Sequence, residues 1–223
     1  MFTGIVEEVG TIREVQDTGG DLRVTVRAET VPSDLSLGDS VSLSGCCLTV
    51  VAYDDVSFSV ELSKETVAKT APRWSEGSSV NLERAMRADS RFGGHIVSGH
   101  VEGVGEVLAK EAQPGAYVLT VKAPERFSGY LIPKGSITVD GVSLTVVDVG
   151  GPGGSDDTLA ANVFTLWIIP HTLAVTTLGG LEPGSSVNLE ADVVAKYLER
   201  LYLVRQQGLS PAPLEQKATD HVS

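Results

Sequence analysis

The only two thiols of the chain stand side by side, at Cys46 and Cys47. A thiolate is a strong nucleophile, whereas a neutral thiol is a weak hydrogen-bond donor or a small apolar filler. A disulfide between neighbours would be strained, so both are read as free thiols in a reducing compartment. Two of the four histidines, His95 and His100, share the segment Gly93-Gly94-His95-Ile96-Val97-Ser98-Gly99-His100. A separation of five puts them on opposite faces of an extended strand. Further ligands at zinc-site spacing are missing, so no metal is expected. Phosphate-loop, dinucleotide and esterase-elbow motifs are absent as well. The chemistry within reach is that of thiol, imidazole and hydroxyl groups.

Those groups are carried by a sequence that repeats itself. Gly4-Ile5-Val6-Glu7-Glu8-Val9-Gly10 returns as Gly99-His100-Val101-Glu102-Gly103-Val104-Gly105. Ser40 through Val51, containing Gly45-Cys46-Cys47-Leu48-Thr49-Val50, returns as Ser136 through Val147, containing Gly141-Val142-Ser143-Leu144-Thr145-Val146. Phe58–Thr66 answers Phe164–Thr172, and Gly77–Glu83 answers Gly184–Glu190. Such a period is too long for a solenoid repeat and suits a duplicated small domain. Within each copy, runs such as Leu22–Arg27, Ser40–Leu43, Leu48–Ala52 and Phe58–Leu62 alternate in polarity and are bounded by Gly and Asp turns. Many short strands predict an all-β barrel, preferred to a sandwich because closure removes the edges.

Duplication also assigns faces. Val142, Leu144 and Val146 form the apolar set of their strand, while Ser143 and Thr145 face the other way. Superposition puts Cys46, Leu48 and Val50 toward the core and Cys47 and Thr49 outward. Cys46 is then a buried apolar filler, and Cys47 is the candidate functional thiol, either reactive or hydrogen-bonding. His100 replaces Ile5 at a homologous position, which makes it the better functional histidine. His95 is read as structural; His171 aligns with Glu65, and His221 lies in the tail.

The second copy carries an insertion, Gly150–Asp157, read as a flexible hairpin loop with a functional lid as the weaker alternative. After Glu190 the pattern becomes helical, with an apolar stripe at Val194, Tyr197, Leu201 and Val204. Its spacing matches a coiled-coil seam, although a helix docked on its own barrel is also open. From Gln206 onward, Gly, Pro and polar residues predict disorder. A net charge of −12 argues against nucleic-acid binding. No apolar run reaches the roughly 20 residues of a membrane span, and the first residues already belong to the repeat, so cytoplasmic location is expected.

Taken together, Met1-Phe2-Thr3-Gly4-Ile5-Val6, Gly45-Cys46-Cys47-Leu48-Thr49-Val50, Gly93–His100 and Asp140-Gly141-Val142-Ser143-Leu144-Thr145-Val146 resemble the riboflavin synthase family of alpha-chain type. The resemblance covers about residues 1–205 of the chain. It implies two tandem six-stranded antiparallel Greek-key barrels at 1–94 and 95–190, a trimerisation helix at 191–206 and a disordered tail at 207–223. It implies that two 6,7-dimethyl-8-ribityllumazine molecules exchange a four-carbon unit, giving riboflavin and 5-amino-6-ribitylaminouracil, without metal or organic cofactor. The working site would pair the first barrel of one subunit with the second barrel of a neighbour in a homotrimer. Carried over by motif, the first pocket uses Gly4, Ile5, Val6, Cys47, Leu48, Thr49, Glu61, Leu62, Ser63, Lys64, Glu65 and Thr66. The second uses Gly99, His100, Val101, Lys134, Ser143, Leu144, Thr145, Trp167, Ile168, Ile169, Pro170, His171 and Thr172. Backbone groups of Leu48 and Leu144 are expected at the uracil-like edge of the ring. Lys134, Ser40 and Asp192 are expected at the ribityl hydroxyls or the entering water, and Cys47 and His100 at the reacting carbon. Two alternatives stand beside the enzyme: a non-catalytic lumazine-binding or flavin-binding protein of the same fold, and the flavin barrel of a reductase. The reductase would need a following nucleotide-binding domain, for which the chain has no room.

Overall fold

A computed structural model describes residues 1–207. In the first copy, strands β1 (Glu8–Asp17), β2 (Leu22–Arg27), β3 (Ser40–Leu43), β4 (Cys46–Tyr53), β5 (Ser57–Leu62) and β6 (Ser79–Arg84) close into a barrel in the order β1-β2-β5-β4-β3-β6. The second copy repeats this order with β7 (Gly103–Gln113), β8 (Ala116–Lys122), β9 (Ser136–Val139), β10 (Val142–Val149), β11 (Val163–Ile168) and β12 (Ser186–Ala191). In each, three hairpin-linked strands are followed by a fourth that returns beside the first of them, which is a Greek key. All pairings are antiparallel, and register shifts at Ile12/Glu14 and Val107/Ala109 bend the longest strands where the barrels must curve. Short helices α1 (Lys64–Lys69) and α2 (Pro170–Val175) follow β5 and β11, and α3 (Val193–Gln206) follows β12. The predicted strands thus appear with ends moved by a residue or two, and the Gly150–Asp157 insertion joins β10 to β11. The expected tail lies outside the described residues, apart from Gln207.

Each barrel fills with its alternating apolar face. Val24, Val26, Val41, Leu43, Phe58, Val60, Leu62, Val80 and Leu82 are fully buried in the first. Their counterparts Val121, Val139, Phe164, Leu166, Val187 and Leu189 are fully buried in the second. Burying side chains of this size stabilises by roughly 1.5–3 kcal/mol each.

The polar face of β6 and of β12 is buried too, because each lies against the other barrel. The Asn81 amide donates to Asp140 O at 2.9 Å, and its Oδ1 accepts from Thr177 N at 2.7 Å. Asn188 mirrors it, donating to Ser44 O at 2.8 Å and accepting from Ala71 N at 2.6 Å. The hairpin turns that supply those carbonyls, Ser44-Gly45 and Asp140-Gly141, hold φ between +46° and +84° and press against each other. A Cβ on Gly141 would come within 2.6 Å of Gly45 N, so both the turn geometry and the contact require glycine.

Within this buried contact the symmetry breaks at the hairpin turns. Asp140, fully buried where the first copy has Ser44, pairs with Arg73 of the first copy at 2.7 Å. Burial pushes the Asp140 carboxyl up, against the pull of Arg73 and of the Asn188 N–H.

Asn188→Ala would leave the buried Ser44 carbonyl and Ala71 N–H without partners. A loss of about 2–6 kcal/mol is expected in urea unfolding, at roughly 1–3 kcal/mol for each of the two orphaned groups. A loss below about 1 kcal/mol would mean that the amide does not bind the barrels together.

Candidate functional site

Strand β4 pairs with β5 at Val50↔Val60, Ala52↔Ser59 and Tyr53↔Phe58, and then the ladder stops. The Cys46–Thr49 half of β4 therefore stands apart from Glu61 and Leu62, leaving an open slot edged by backbone outside the β4–β5 ladder. Strand β10 parts from β11 in the same way beyond Val146↔Leu166, so Ser143–Thr145 and Trp167–Ile168 edge a second slot. A strand edge whose donors and acceptors are unpaired needs partners, and a planar ring with its own imide donors and acceptors supplies them.

Backbone direction decides which residues face each slot. Val50 exchanges hydrogen bonds with Gly38 N and Asp39 O, both at 2.9 Å, on the β3 side. Cys47 N instead donates to Gly99 O at 2.7 Å, away from β3. Backbone groups alternate along a strand, so Leu48 follows Val50 toward β3 while Thr49 follows Cys47. In the second copy Val146 bonds Lys134 N and Gly135 O, and Ser143 N donates to Gly4 O at 2.8 Å. The expectation for Leu48 and Leu144 is therefore corrected: the backbone facing the slots belongs to Thr49 and Thr145.

Grouping of the glycine segments is corrected as well. Gly4-Ile5-Val6 lies against the second barrel, where Gly4 accepts from Ser143 and Val6 packs on the core. Gly99-His100-Val101 lies against the first barrel, where Gly99 accepts from Cys47 and Val101 packs on the core. The approach is close: a Cβ on Gly4 would meet Ser143 Cβ at 2.6 Å, and one on Gly99 would meet Cys47 Cβ at 2.7 Å. Each slot thus has one wall from its own copy and one from the other.

Two buried carboxylates hold these segments. Glu83 accepts from Thr3 N at 2.7 Å, Thr3 Oγ1 at 2.8 Å and Gly4 N at 2.9 Å. Glu190 accepts from Ser98 N at 2.7 Å, Gly99 N at 2.9 Å and His100 N at 3.1 Å. Burial raises both carboxyls above their usual range, partly offset by those N–H donors. Neither glutamate, nor Asn81 or Asn188, stood out as functional in the sequence. Their only signal was the doubled Val-Asn-Leu-Glu.

At the Cys47 end of the first slot a cavity of about 180 Å³ is lined by Cys46, Cys47, Glu65, Thr66, Lys69, Thr70, Gly99, His100 and Val101. Cys46 turns into the core, where burial and then the neighbouring Cys47 push its thiol up to about 12. Cys47 is half-buried and His100 exposed, so both can meet a ligand. Ser63 caps α1 by accepting from Thr66 N at 3.1 Å, Glu65 pairs with Lys69 at 2.6 Å, and Glu61 pairs with Arg23 at 2.6 Å. Lys64 is exposed, and its N–H donates to Asp21 at 3.0 Å. Leu62 is core. Ser40 lies across the ladder from Thr49 but lines a neighbouring depression of about 460 Å³ that also takes Ile5 and Arg84.

At the second slot, Trp167 and Ile169 are 55% and 57% exposed, whereas Ile168 is core. Pro170 opens α2, with His171 exposed and Thr172 half-buried behind it. Lys134 stands exposed in the turn before β9, at φ 66°. Asp192 caps α3 by accepting from Val194 N at 2.9 Å. His95 is buried with Nδ1 2.8 Å from Ser143 Oγ, and burial lowers its pKa despite the opposing charge of Asp192. The histidine read as structural is thus the one bonded to a candidate site residue.

Comparison with known proteins agrees with this architecture. The family model for the lumazine binding domain matches twice, at residues 3–85 and 98–192. Riboflavin synthase of Photobacterium phosphoreum is 45% identical over 92% of this chain and 90% of its own. The Bacillus amyloliquefaciens riboflavin synthase is 45% identical over 94% of both chains, and that of Mycobacterium tuberculosis strain H37Rv 42% identical over 90% and 98%. Among solved structures, LumP complexed with riboflavin superposes with a TM-score of 0.74 at 22% identity, covering 86% of this chain and 99% of that one. LumP complexed with 6,7-dimethyl-8-(1'-D-ribityl) lumazine gives 0.72 at 24% identity, covering 86% and 99%. At such identity these two speak for the fold alone, but the sequence relatives run nearly end to end. The chain belongs to the riboflavin synthase family of paired lumazine-binding barrels.

Proposed function

We propose that this chain catalyses the riboflavin synthase reaction, in which one 6,7-dimethyl-8-ribityllumazine gives four carbons to another to form riboflavin and 5-amino-6-ribitylaminouracil. The observation that carries this reading is the pair of homologous slots, each built from both copies. A reaction between two copies of one substrate needs two sites alike enough to bind it and different enough to assign its roles. Here the frames match, while Cys47 and exposed His100 at one slot are replaced by Ser143 and Ile5 in the repeat. Backbone groups of Thr49 and Thr145 suit the uracil-like edge, and no cofactor enters the scheme. Stacking two rings can supply an effective molarity of about 10⁵ M or more, against about 10²–10⁴-fold from proton transfer.

In this reading residues 1–94 and 95–190 are the two binding units, 191–206 is the assembly helix, and the enzyme works as a cytoplasmic homotrimer. What supports assembly is apolar surface left uncovered among the described residues. Along α3, Val194, Tyr197, Leu198, Leu201, Tyr202 and Leu203 are 45–68% exposed. Trp167 and Ile169 beside the second slot are exposed apolar side chains as well. Burying such area between chains is favourable at roughly 25 cal/mol per Å².

Purified protein incubated with the lumazine should convert it to riboflavin, read by absorbance; bound but unchanged lumazine after hours would leave only a chromophore-binding protein. Cys47→Ser is expected to lower turnover about tenfold or more with little change in stability. Cys46→Ser should do the opposite, costing about 1–3 kcal/mol for a hydroxyl in the core. The reverse order would overturn the face assignment. Charging the exposed helix with Leu198→Glu and Leu201→Glu should yield folded monomers by sedimentation and strongly reduced turnover; an active trimer would show that α3 has another purpose.

A further inference from the structure

We propose that His95 is a positioning residue for the second slot, holding the Ser143 hydroxyl in one orientation toward the bound lumazine; this rests on the function proposed above. Ser143 is constrained on every side. Its N–H donates to Gly4 O at 2.8 Å, and Gly4 and Gly94 close on its side chain so tightly that a Cβ on either would lie 2.6 or 3.0 Å from Ser143 Cβ. Its Oγ lies 2.8 Å from His95 Nδ1.

His95 is anchored in turn. It is 8% exposed, and its backbone N–H donates to Thr3 O at 3.1 Å. Thr3 is itself held through its N–H and hydroxyl by buried Glu83. A hydroxyl has one proton to donate and two lone pairs to offer. Whichever tautomer His95 adopts, its Nδ1 occupies one of those directions and so restricts the remaining ones. The first slot has no such arrangement. Cys47 stands at the homologous position, its weakly hydrogen-bonding thiol is bonded to no imidazole among the described residues, and the local histidine is the exposed His100 in the place of Ile5. A histidine therefore stands near each strand, but only at the second slot is it bonded to the strand's own side chain, His95 to Ser143. The inference makes the second slot the one with a pre-set hydrogen-bonding group and gives the duplicated sites their difference.

The test compares full-length H95A, H95N, S143A and H95A/S143A, with turnover normalised to the number of folded sites found by fluorescence titration with the lumazine. H95A should lower kcat about tenfold, the worth of one well-placed hydrogen bond. H95N places a polar atom near the position of Nδ1 and should recover most of the loss. S143A should match H95A, and the double variant should be no slower than either, as expected for residues acting as a unit. Wild-type kcat per folded site in H95A, additive losses in the double variant, or no recovery in H95N would overturn the inference. Should H95A fail to fold, H95N/S143A compared with S143A decides: equal rates support the coupling, and a further loss overturns it. Absence of turnover in the unaltered protein would instead overturn the proposed function, so the two failures are distinguishable.

Discussion

Two buried asparagine amides, one from each copy, fix how the barrels sit against each other. Asn81 reaches the carbonyl of Asp140 and the N–H of Thr177; Asn188 reaches the carbonyl of Ser44 and the N–H of Ala71. Each amide satisfies backbone groups that could find no other partner in a dry interface, so displacement of one barrel orphans several groups at once. The glycine turns between them leave no room to slide. The isolated bridge between Phe2 and Val97 continues the same pseudo-twofold arrangement, bringing the two segments that cross between barrels side by side. Because the barrels cannot pivot, a slot can take one wall from each without losing its shape.

Divergence between the copies follows the same constraint. Positions that hold one copy against the other, directly or through the crossing segments, are kept: Asn81 and Asn188, Glu83 and Glu190, Gly45 and Gly141, Gly4 and Gly99. A change at one of these disturbs a contact on which the placement of both copies depends. Outward positions carry no such coupling, and there the copies differ: Cys47 against Ser143, Ile5 against His100, Glu61 against Trp167. The exception is Ser44 against Asp140, where a buried carboxylate entered the frame. It is tolerated because Arg73 reaches across from the other copy; an ion in that place without a partner would cost several kcal/mol. A buried pair of this kind gives little net stability and serves better as a device that distinguishes one end of the interface from the other.

What the sequence disclosed was whatever depends on period two. The alternation Cys46-Leu48-Val50 against Cys47-Thr49, checked by its repeat, placed each side chain on the correct face before any coordinates. Closure was expected because it removes strand edges, and the Greek-key arrangement was implied by the family resemblance alone. Three things were hidden. Alignment makes Gly4 and Gly99 homologous, but it cannot say whether either packs on its own copy or on the other; that is decided by the bonds of Gly4 O to Ser143 and Gly99 O to Cys47. The direction of backbone groups at Leu48 and Thr49 depends on which edge of β4 the β3 ladder occupies, a matter of register. Asn81 and Glu83, alternating with Val80 and Leu82, have the pattern of a strand with one face in water. Only the second barrel makes that face dry, turning polar positions that look like solvent-facing ones into the anchors of the slots.

The same geometry explains why so little reactive chemistry need be present. Cys47, His100, Ser143 and His95 are ordinary groups, and among the described residues no cluster of His, Cys, Asp and Glu is built to hold a metal ion. A thiol or imidazole acting as proton donor or acceptor is worth about 10²–10⁴ in rate. Fixing two rings face to face replaces the entropy of bringing them together and reaches about 10⁵ M in effective concentration or beyond. That larger share depends on slots whose walls do not move, hence on Glu83 and Glu190 holding the glycine segments and on the asparagines holding the barrels. The catalytic power of such a site is therefore stored mainly in the frame. On the proposed function, substitutions far from either slot but on the pseudo-axis would act on the rate through geometry, and those at the outward positions through chemistry.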